Sequence, residues 1–225
     1  MNSGIIVAAG KSSRVGKDVD KAFLSLGSKP VIVYSLLEFE KCPDIEEVIL
    51  VVRKDRVESA RRAAQMFGCT KVTKIIAGGK RRQDSVEKGL AEISEGVKIV
   101  AVHDGARPCV TSELISATIK SAKQYGSGVA AAKVTDTVKK VERKMVISST
   151  IDRTKLWQVQ TPQAFKLDLL LKAFKSVNKK KLVVTDEASA AELISDKVRL
   201  VSSSLSNIKI TTPDDLVLAA ALMRL

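Results

Sequence analysis

Five short β-branched runs alternate with helical patterns over the first 134 residues: G-I-I-V-A-A (4–9), E-V-I-L-V-V (47–52), K-V-T-K-I-I (71–76), K-I-V-A-V-H (98–103) and G-V-A-A-A-K-V (128–134). Such runs belong in a sheet covered on both faces, and intervening helices make its strands parallel. Right-handed crossovers then wind the chain into an α/β, doubly wound, mostly parallel Rossmann-like sheet. The patterns predict helices over 30–41, with Pro30 in the first turn, and over 55–67, closed by Gly68. Two more are predicted over 83–93 and from Thr111 or Ser112 to Tyr125. Ligands of such folds sit beyond the carboxyl ends of the strands, near the switch in strand order.

The alternation breaks after Lys133. Residues 134–153 read as a β-hairpin, T-V-K-K-V-E and M-V-I-S-S-T-I around a turn near Arg143-Lys144. A two-stranded ribbon is marginal by itself, so this arm needs a surface, either its own domain or another subunit. Beyond it come a helix over 166–177, a helix over 186–194 capped by Thr185, and strands at 197–201 and 207–211. A last helix opens at T-P-D-D, with Thr212 as cap, Pro213 first, and Asp214 and Asp215 complementing the helix dipole. The expected organisation is one domain over 1–225 with the arm as a subregion.

Composition narrows the partners. Lys+Arg 38 against Asp+Glu 25 leaves +13, a balance that attracts polyanions. Only 4% of residues are aromatic, thin for a base-stacking platform, so nucleic acid is not the expected partner. Three scattered cysteines, Cys42, Cys69 and Cys109, form neither a disulfide framework nor a zinc motif. With no signal-peptide layout and no long apolar run, a soluble cytoplasmic protein without a membrane partner is expected.

The first strand run leads into V-A-A-G-K-S-S-R-V-G-K-D (7–18), which resembles a P-loop but has five residues, not four, between Gly10 and Gly16-Lys17. Ser12 also stands where a dinucleotide fingerprint needs glycine. The loop nonetheless offers glycine, hydroxyls and cations, with Arg14 and Lys21 the preferred phosphate ligands over Lys11 and Lys17. A second cluster is A-G-G-K-R-R-Q-D-S-V (77–86). There Gly78 and Gly79 admit a flat ring, Arg82 reaches phosphate or braces the loop, and Ser85 contacts a base or caps a helix. The third is V-H-D-G-A-R-P (102–108): Asp104 suits magnesium or caps a turn, and Arg107 braces the loop or meets phosphate. His103, the single histidine, is a general base or structural. Arg153, Thr161, Thr185 and Lys209 stand in a fourth, dispersed cluster whose members are individually ambiguous.

In order, A-A-G-x-x-x-R, Lys21, G-G-x-x-R-x-x-S-V, V-H-D-G-A-R-P, D-R-x-x-L-W-x-x-Q-T-P-Q-A-F, T-D-E-A-S and N-I-K-I-T-T-P-D-D-L resemble the 2-C-methyl-D-erythritol 4-phosphate cytidylyltransferases of the non-mevalonate isoprenoid pathway, over essentially the whole chain. Ser12, near a usual glycine, and Asp20, where proline often precedes the family's lysine, depart from the pattern. The resemblance implies that the substrate 4-phosphate attacks the α-phosphate of CTP, with magnesium required and no covalent intermediate. It implies catalytic roles for Arg14, Lys21 and Lys209, and magnesium binding by Asp104. Ala8, Ala9, Gly10, Lys11, Ser12, Gly79, Arg82, Ser85 and Ala106 would hold CTP. Thr137, Arg153, Thr161 and Thr185 would hold methylerythritol phosphate, in a homodimer whose arm reaches the neighbouring site. The competing readings are a ribitol 5-phosphate cytidylyltransferase and a basic nucleic-acid-binding module. An NAD dehydrogenase is disfavoured by Arg53 and Lys54, where an acid should follow the second strand.

Overall fold

A computed structural model of the chain describes residues 1–10, 20–195 and 197–225. The first half runs β1 (Asn2–Ala8), the small ribbon β2 (Ser25–Leu26) and β3 (Lys29–Pro30), α1 (Val31–Lys41), β4 (Glu47–Val52), α2 (Val57–Met66), β5 (Val72–Ala77), α3 (Arg82–Ala91), β6 (Ile99–Asp104), α4 (Ser112–Tyr125) and β7 (Ser127–Lys133). The second half adds the arm strands β8 (Val138–Val141) and β9 (Ile147–Ile151), then β10 (Trp157–Lys166), α5 (Leu167–Lys179), α6 (Glu187–Ala191), β11 (Leu200–Ser202) and α7 (Pro213–Met223).

The main sheet has the order β11-β7-β10-β6-β1-β4-β5. β1 is buried along its length and pairs in parallel with β4 on one side and β6 on the other. The chain therefore builds outward from β1 to β5 and then returns to β6, which places the switch in strand order between β1 and β6. Alternation along β1 divides the core into two layers. Ile6 and Ala8 face Leu36, Phe39, Ala60, Ile115 and Ile119 of α1, α2 and α4. Ile5 and Val7 face Val86, Leu170, Phe174 and Ala188 of α3, α5 and α6. Both faces are covered, as the doubly apolar runs require. α3 presses unusually close: a Cβ on Gly89 would lie 2.8 Å from the Ile5 side chain. That approach sets the first turn of α3 beside the end of β1.

Three local expectations are corrected. β10 was not evident in the sequence, and it runs antiparallel to both β6 and β7. Its side chains include Gln160, Thr161 and Gln163, all buried, and its pairing with β7 shifts register between Val159 and Gln163. Neither apolar alternation nor a continuous ladder marks it. Residues 207–211 form no strand; this segment is tied to the loop after β6 by Ile210 N–H donating to the Ala106 carbonyl, 2.8 Å. The helix expected over 186–194 is the short α6, and its cap is Asp186, not Thr185: the Asp186 carboxylate accepts from Ser189 N–H at 2.9 Å. Asp186 directly precedes the first helical residue with an extended backbone, the position whose side chain meets the free N–H groups of the first turn, and the Thr185 hydroxyl pairs with Ser189 Oγ instead, 3.2 Å.

The arm forms as expected. β8 and β9 pair only with each other in the sheet topology, and Met145 at the tip is 82% exposed. Its lower ends continue into β7 and β10, where Lys133 pairs with Trp157. No helix among the described residues is long and apolar enough to cross a membrane.

Candidate active site

Parallel pairing places Val7 opposite Asp104, so the chain leaves β1 and β6 side by side at the switch point. α3 supplies the third wall. Gly78 is required there by packing: a Cβ would collide with Ala9 and with Ser85 Oγ. Gly78 thus brings two strand-end loops together, a more immediate role than admitting a ring, while Gly79 lets the loop close onto Asp84 of α3. The result is a cavity of about 230 Å³ lined by Ala8, Ala9, Gly10, Lys21, Gly79, Arg82, Ser85, Asp104, Ala106 and Lys209. Asp20, Lys80 and Arg81 line it too, unforeseen as site residues. Lys11, Ser12 and Arg14 lie outside the described residues.

Ser85 is buried, and its hydroxyl accepts from Gly79 N–H at 3.0 Å and donates to the Arg81 carbonyl at 3.1 Å. It fixes the turn that carries Gly79. The helix cap assigned to it as an alternative falls to Arg81, whose N–H donates to the Asp84 carboxylate at 3.0 Å. Lys21 opens a short helical turn capped by Asp20, which accepts from Ala22 N–H at 3.2 Å. Burial raises the Asp20 carboxyl above its ordinary value, against the pull of the Ala22 N–H, Arg53 and Arg56.

The charged centre is a chain of alternating signs. Lys209 Nζ lies 2.6 Å from Asp104 Oδ2, and Arg82 Nε donates to Asp104 Oδ1 at 2.9 Å. Arg82 Nη1 and Nη2 donate to the two oxygens of Glu187 at 2.6 and 3.0 Å. Burial alone would push Asp104 up, but Arg82 and Lys209 hold it far below the carboxylate range. Burial opposes the charge on Arg82, and the Glu187 and Asp104 carboxylates more than offset it, raising its pKa. Burial raises Glu187, with Arg82 acting in the other direction.

His103 is fully buried, and burial pushes its imidazole down to about 3. The Arg107 carbonyl, 3.3 Å from Nε2, requires the proton there. Nδ1 then accepts from the Thr161 hydroxyl at 3.0 Å, and Thr161 Oγ1 accepts from Asp104 N–H at 3.0 Å. His103 is therefore a neutral structural group, and Thr161 locks the end of β6. Lys209 is aimed by its own segment: Asn207 donates to Gln160 Oε1 and to the Thr161 carbonyl at 3.0 and 2.9 Å. Arg107 Nη1 donates to the Asn207 carbonyl at 2.7 Å, the bracing role expected of Arg107; burial lowers its guanidinium pKa.

A second pocket of about 280 Å³ opens on the other side of this centre, lined by Arg107, Val159, Gln160, Thr161, Gln163, Thr185 and Asp186. It shares Arg82, Asp104 and Lys209 with the first. Thr161 and Thr185 are thus brought together, Thr161 with its hydroxyl already engaged. Thr137 and Arg153 line neither pocket: they sit on the arm, where Arg153 Nη1 donates to Thr137 Oγ1 at 3.0 Å. Glu187, Asn207, Gln160 and Gln163 were missed as site residues; their position inside the T-D-E-A-S, N-I-K-I and Q-T-P-Q motifs was the available signal.

No group of three or more His, Cys, Asp or Glu side chains forms a metal cage among the described residues. Magnesium, however, is commonly held by one or two carboxylates plus substrate phosphates. Asp104 retains lone pairs beyond those used by Arg82 and Lys209, so its donor set fits a magnesium ion that shares the phosphates of a nucleotide.

Two pockets thus meet at one wall of paired charges, at the switch point of a doubly wound sheet, the place where enzymes of this fold class bind their ligands. The family model for 2-C-methyl-D-erythritol 4-phosphate cytidylyltransferase, IspD, matches residues 3–225. The chain belongs to that family. It is 40% identical over 223 residues to the 2-C-methyl-D-erythritol 4-phosphate cytidylyltransferase of Alkaliphilus oremlandii, covering 99% of this chain and 94% of that one. It is 44% identical over 220 residues to the bifunctional enzyme IspD/IspF of Desulfotalea psychrophila, covering 98% of this chain and 56% of the relative. The crystal structure of 4-diphosphocytidyl-2C-methyl-D-erythritol synthase from Anaerococcus prevotii superposes with a TM-score of 0.86 at 29% identity, covering 100% and 98% of the two chains.

Proposed function

We propose that the chain transfers a cytidylyl group from CTP to 2-C-methyl-D-erythritol 4-phosphate. A phosphate oxygen of the acceptor bonds to the α-phosphorus of CTP, the bond to the β-phosphate oxygen breaks, and pyrophosphate leaves. The products are 4-diphosphocytidyl-2-C-methyl-D-erythritol and pyrophosphate. The observation that carries this reading is the shared wall of Arg82, Asp104 and Lys209 between two pockets. A nucleotide in the first pocket and a phosphorylated polyol in the second would meet there.

Both reactants are anions, and charge on the α-phosphate oxygens increases as they join. Fixed cations are therefore the main catalytic device. Lys21, Lys209 and Arg14 take that role in this reading. Ala8 to Gly10 and Gly79 form the base pocket, with Ser85 setting its shape. A backbone carbonyl facing the cytosine amino group would leave an acceptor unpaired against uracil, which selects CTP over UTP. Asp104 would hold magnesium, which when bound neutralises phosphate charge.

Arg153 and Thr137 complete the acceptor pocket in this reading by projecting from the arm of a second copy, which makes the active form a homodimer. That neither residue lines a pocket of its own chain supports this arrangement. The relatives named above are methylerythritol phosphate cytidylyltransferases, which favours this acceptor over ribitol 5-phosphate. The test is pyrophosphate release with each nucleoside triphosphate, alone and with methylerythritol phosphate or ribitol 5-phosphate. Release only with CTP and methylerythritol phosphate is expected; faster release with ribitol 5-phosphate overturns the acceptor assignment.

A further inference from the structure

Glu187 lines neither pocket, yet it is a fully buried carboxylate one side chain removed from both. It occupies Nη1 and Nη2 of Arg82, and Asp104 occupies Nε. Arginine presents its N–H groups in a rigid fork, so fixing the two terminal nitrogens fixes where Nε points. We infer that Glu187 is a positioning residue for the transfer proposed above: it aims Arg82 at Asp104 and keeps the guanidinium from taking a substrate phosphate for itself.

The charge count supports a role beyond bracing. Arg82 and Lys209 are balanced by Asp104 and Glu187. Without the Glu187 charge the wall carries one excess positive charge, on a long side chain at the edge of both pockets. Such a cation, drawn to phosphate and away from Asp104, grips the bound ground state and the pyrophosphate product more strongly than the transition state, which tightens binding and lowers turnover. Seating α6 does not require the ion pair. Ala188 N–H donates to Gln163 Oε1 at 2.8 Å, and Gln163 Nε2 donates to Asp186 at 2.9 Å. The preceding segment is held by Gln83, which donates to the Leu182 carbonyl at 3.3 Å and accepts from Val184 N–H at 3.1 Å.

The test is Glu187→Gln, which keeps the shape and removes the charge. Pyrophosphate affinity is measured by titration calorimetry, and kcat and the KM for CTP by pyrophosphate release. Expected are pyrophosphate binding at least threefold tighter, kcat at least tenfold lower, and a KM for CTP that does not rise. In an Arg82→Gln background, Glu187→Gln should add no further loss. Unchanged kcat and pyrophosphate affinity with only a lowered Tm would mean a simple brace and overturn the inference, as would losses that add to those of Arg82→Gln. If Glu187→Gln does not fold, Glu187→Asp, with its carboxylate withdrawn by one methylene, should move the same readouts in the same direction; wild-type values would overturn it. A wild-type protein without cytidylyl transfer would sink the proposed function, while the pyrophosphate comparison would still decide the hold of Glu187 on Arg82.

Discussion

Lys21 and Thr161 show two ways in which single side chains serve the site. Lys21 lines the first pocket, and Lys21→Ala should lower kcat by roughly two to three orders of magnitude, the usual effect of losing one donor to developing negative charge. CTP binding should remain measurable by calorimetry, and near-wild-type turnover would remove Lys21 from the mechanism. Thr161 acts inward, between His103 and Asp104. Thr161→Val leaves the buried Asp104 N–H unpartnered, at a cost of about 1–3 kcal/mol. Denaturant unfolding should show that loss, and a variant as stable as the wild type would contradict the relay. At this scale Asp104 was legible because it directly follows an apolar strand run, whereas Lys209 was singled out only by the family resemblance. Glu187 and Asn207 escaped notice because a buried carboxylate or amide is indistinguishable from a surface one until its partners, over a hundred residues away in the case of Arg82 and Glu187, are known.

Among the elements, α7 offers the clearest test. Thr212 caps it, and the Asp215 carboxylate accepts from Thr211 N–H, Thr211 Oγ1 and Thr212 N–H at 2.7, 2.7 and 2.8 Å. Burial works against the Asp215 charge, but these hydrogen bonds outweigh it and hold the carboxyl at about 2. A lowered folded-state pKa means that the contribution is complete above the ordinary carboxylate value near 4 and is lost as pH falls through about 2. Asp215→Ala should cost about 1 kcal/mol at neutral pH, and its urea midpoint should converge on that of the wild type as the pH approaches 2. A constant gap across that range would rule out the carboxylate as the source. This cap was legible, because T-P-D-D carries every local signal of a helix start. β10 was not: its buried glutamines and threonine look like loop residues until the 204–207 segment, the start of α6 and β6 supply their hydrogen bonds. The T-D-E-A-S helix was found but given the wrong cap, since Thr185 and Asp186 are both good caps in isolation.

For the whole molecule, the doubly wound, mostly parallel sheet followed from apolar runs and the handedness of crossovers, whereas the insertion of the antiparallel β10 between β6 and β7 is not written in any local pattern. The homodimer reading makes a direct prediction. Replacing residues 138–151 with a short glycine-containing turn should leave the main sheet folded, as circular dichroism would report, and should shift sedimentation toward the monomer. The KM for the methylerythritol phosphate should rise by tenfold or more while CTP affinity changes little. Arg153→Ala alone should have a smaller effect of the same kind, and an effect confined to CTP would show that Arg153 belongs to the other pocket. An arm-deleted protein with wild-type acceptor kinetics would remove the second copy from the site.

Because Lys133 pairs with Trp157, the arm is the outer length of a hairpin whose inner length is already part of the main sheet. Residues can be added to or taken from its tip in cross-strand pairs without altering the register beneath. The reach of the arm is thus adjustable independently of the sheet edge that carries the pockets, much as a telescoping boom extends from a fixed mast.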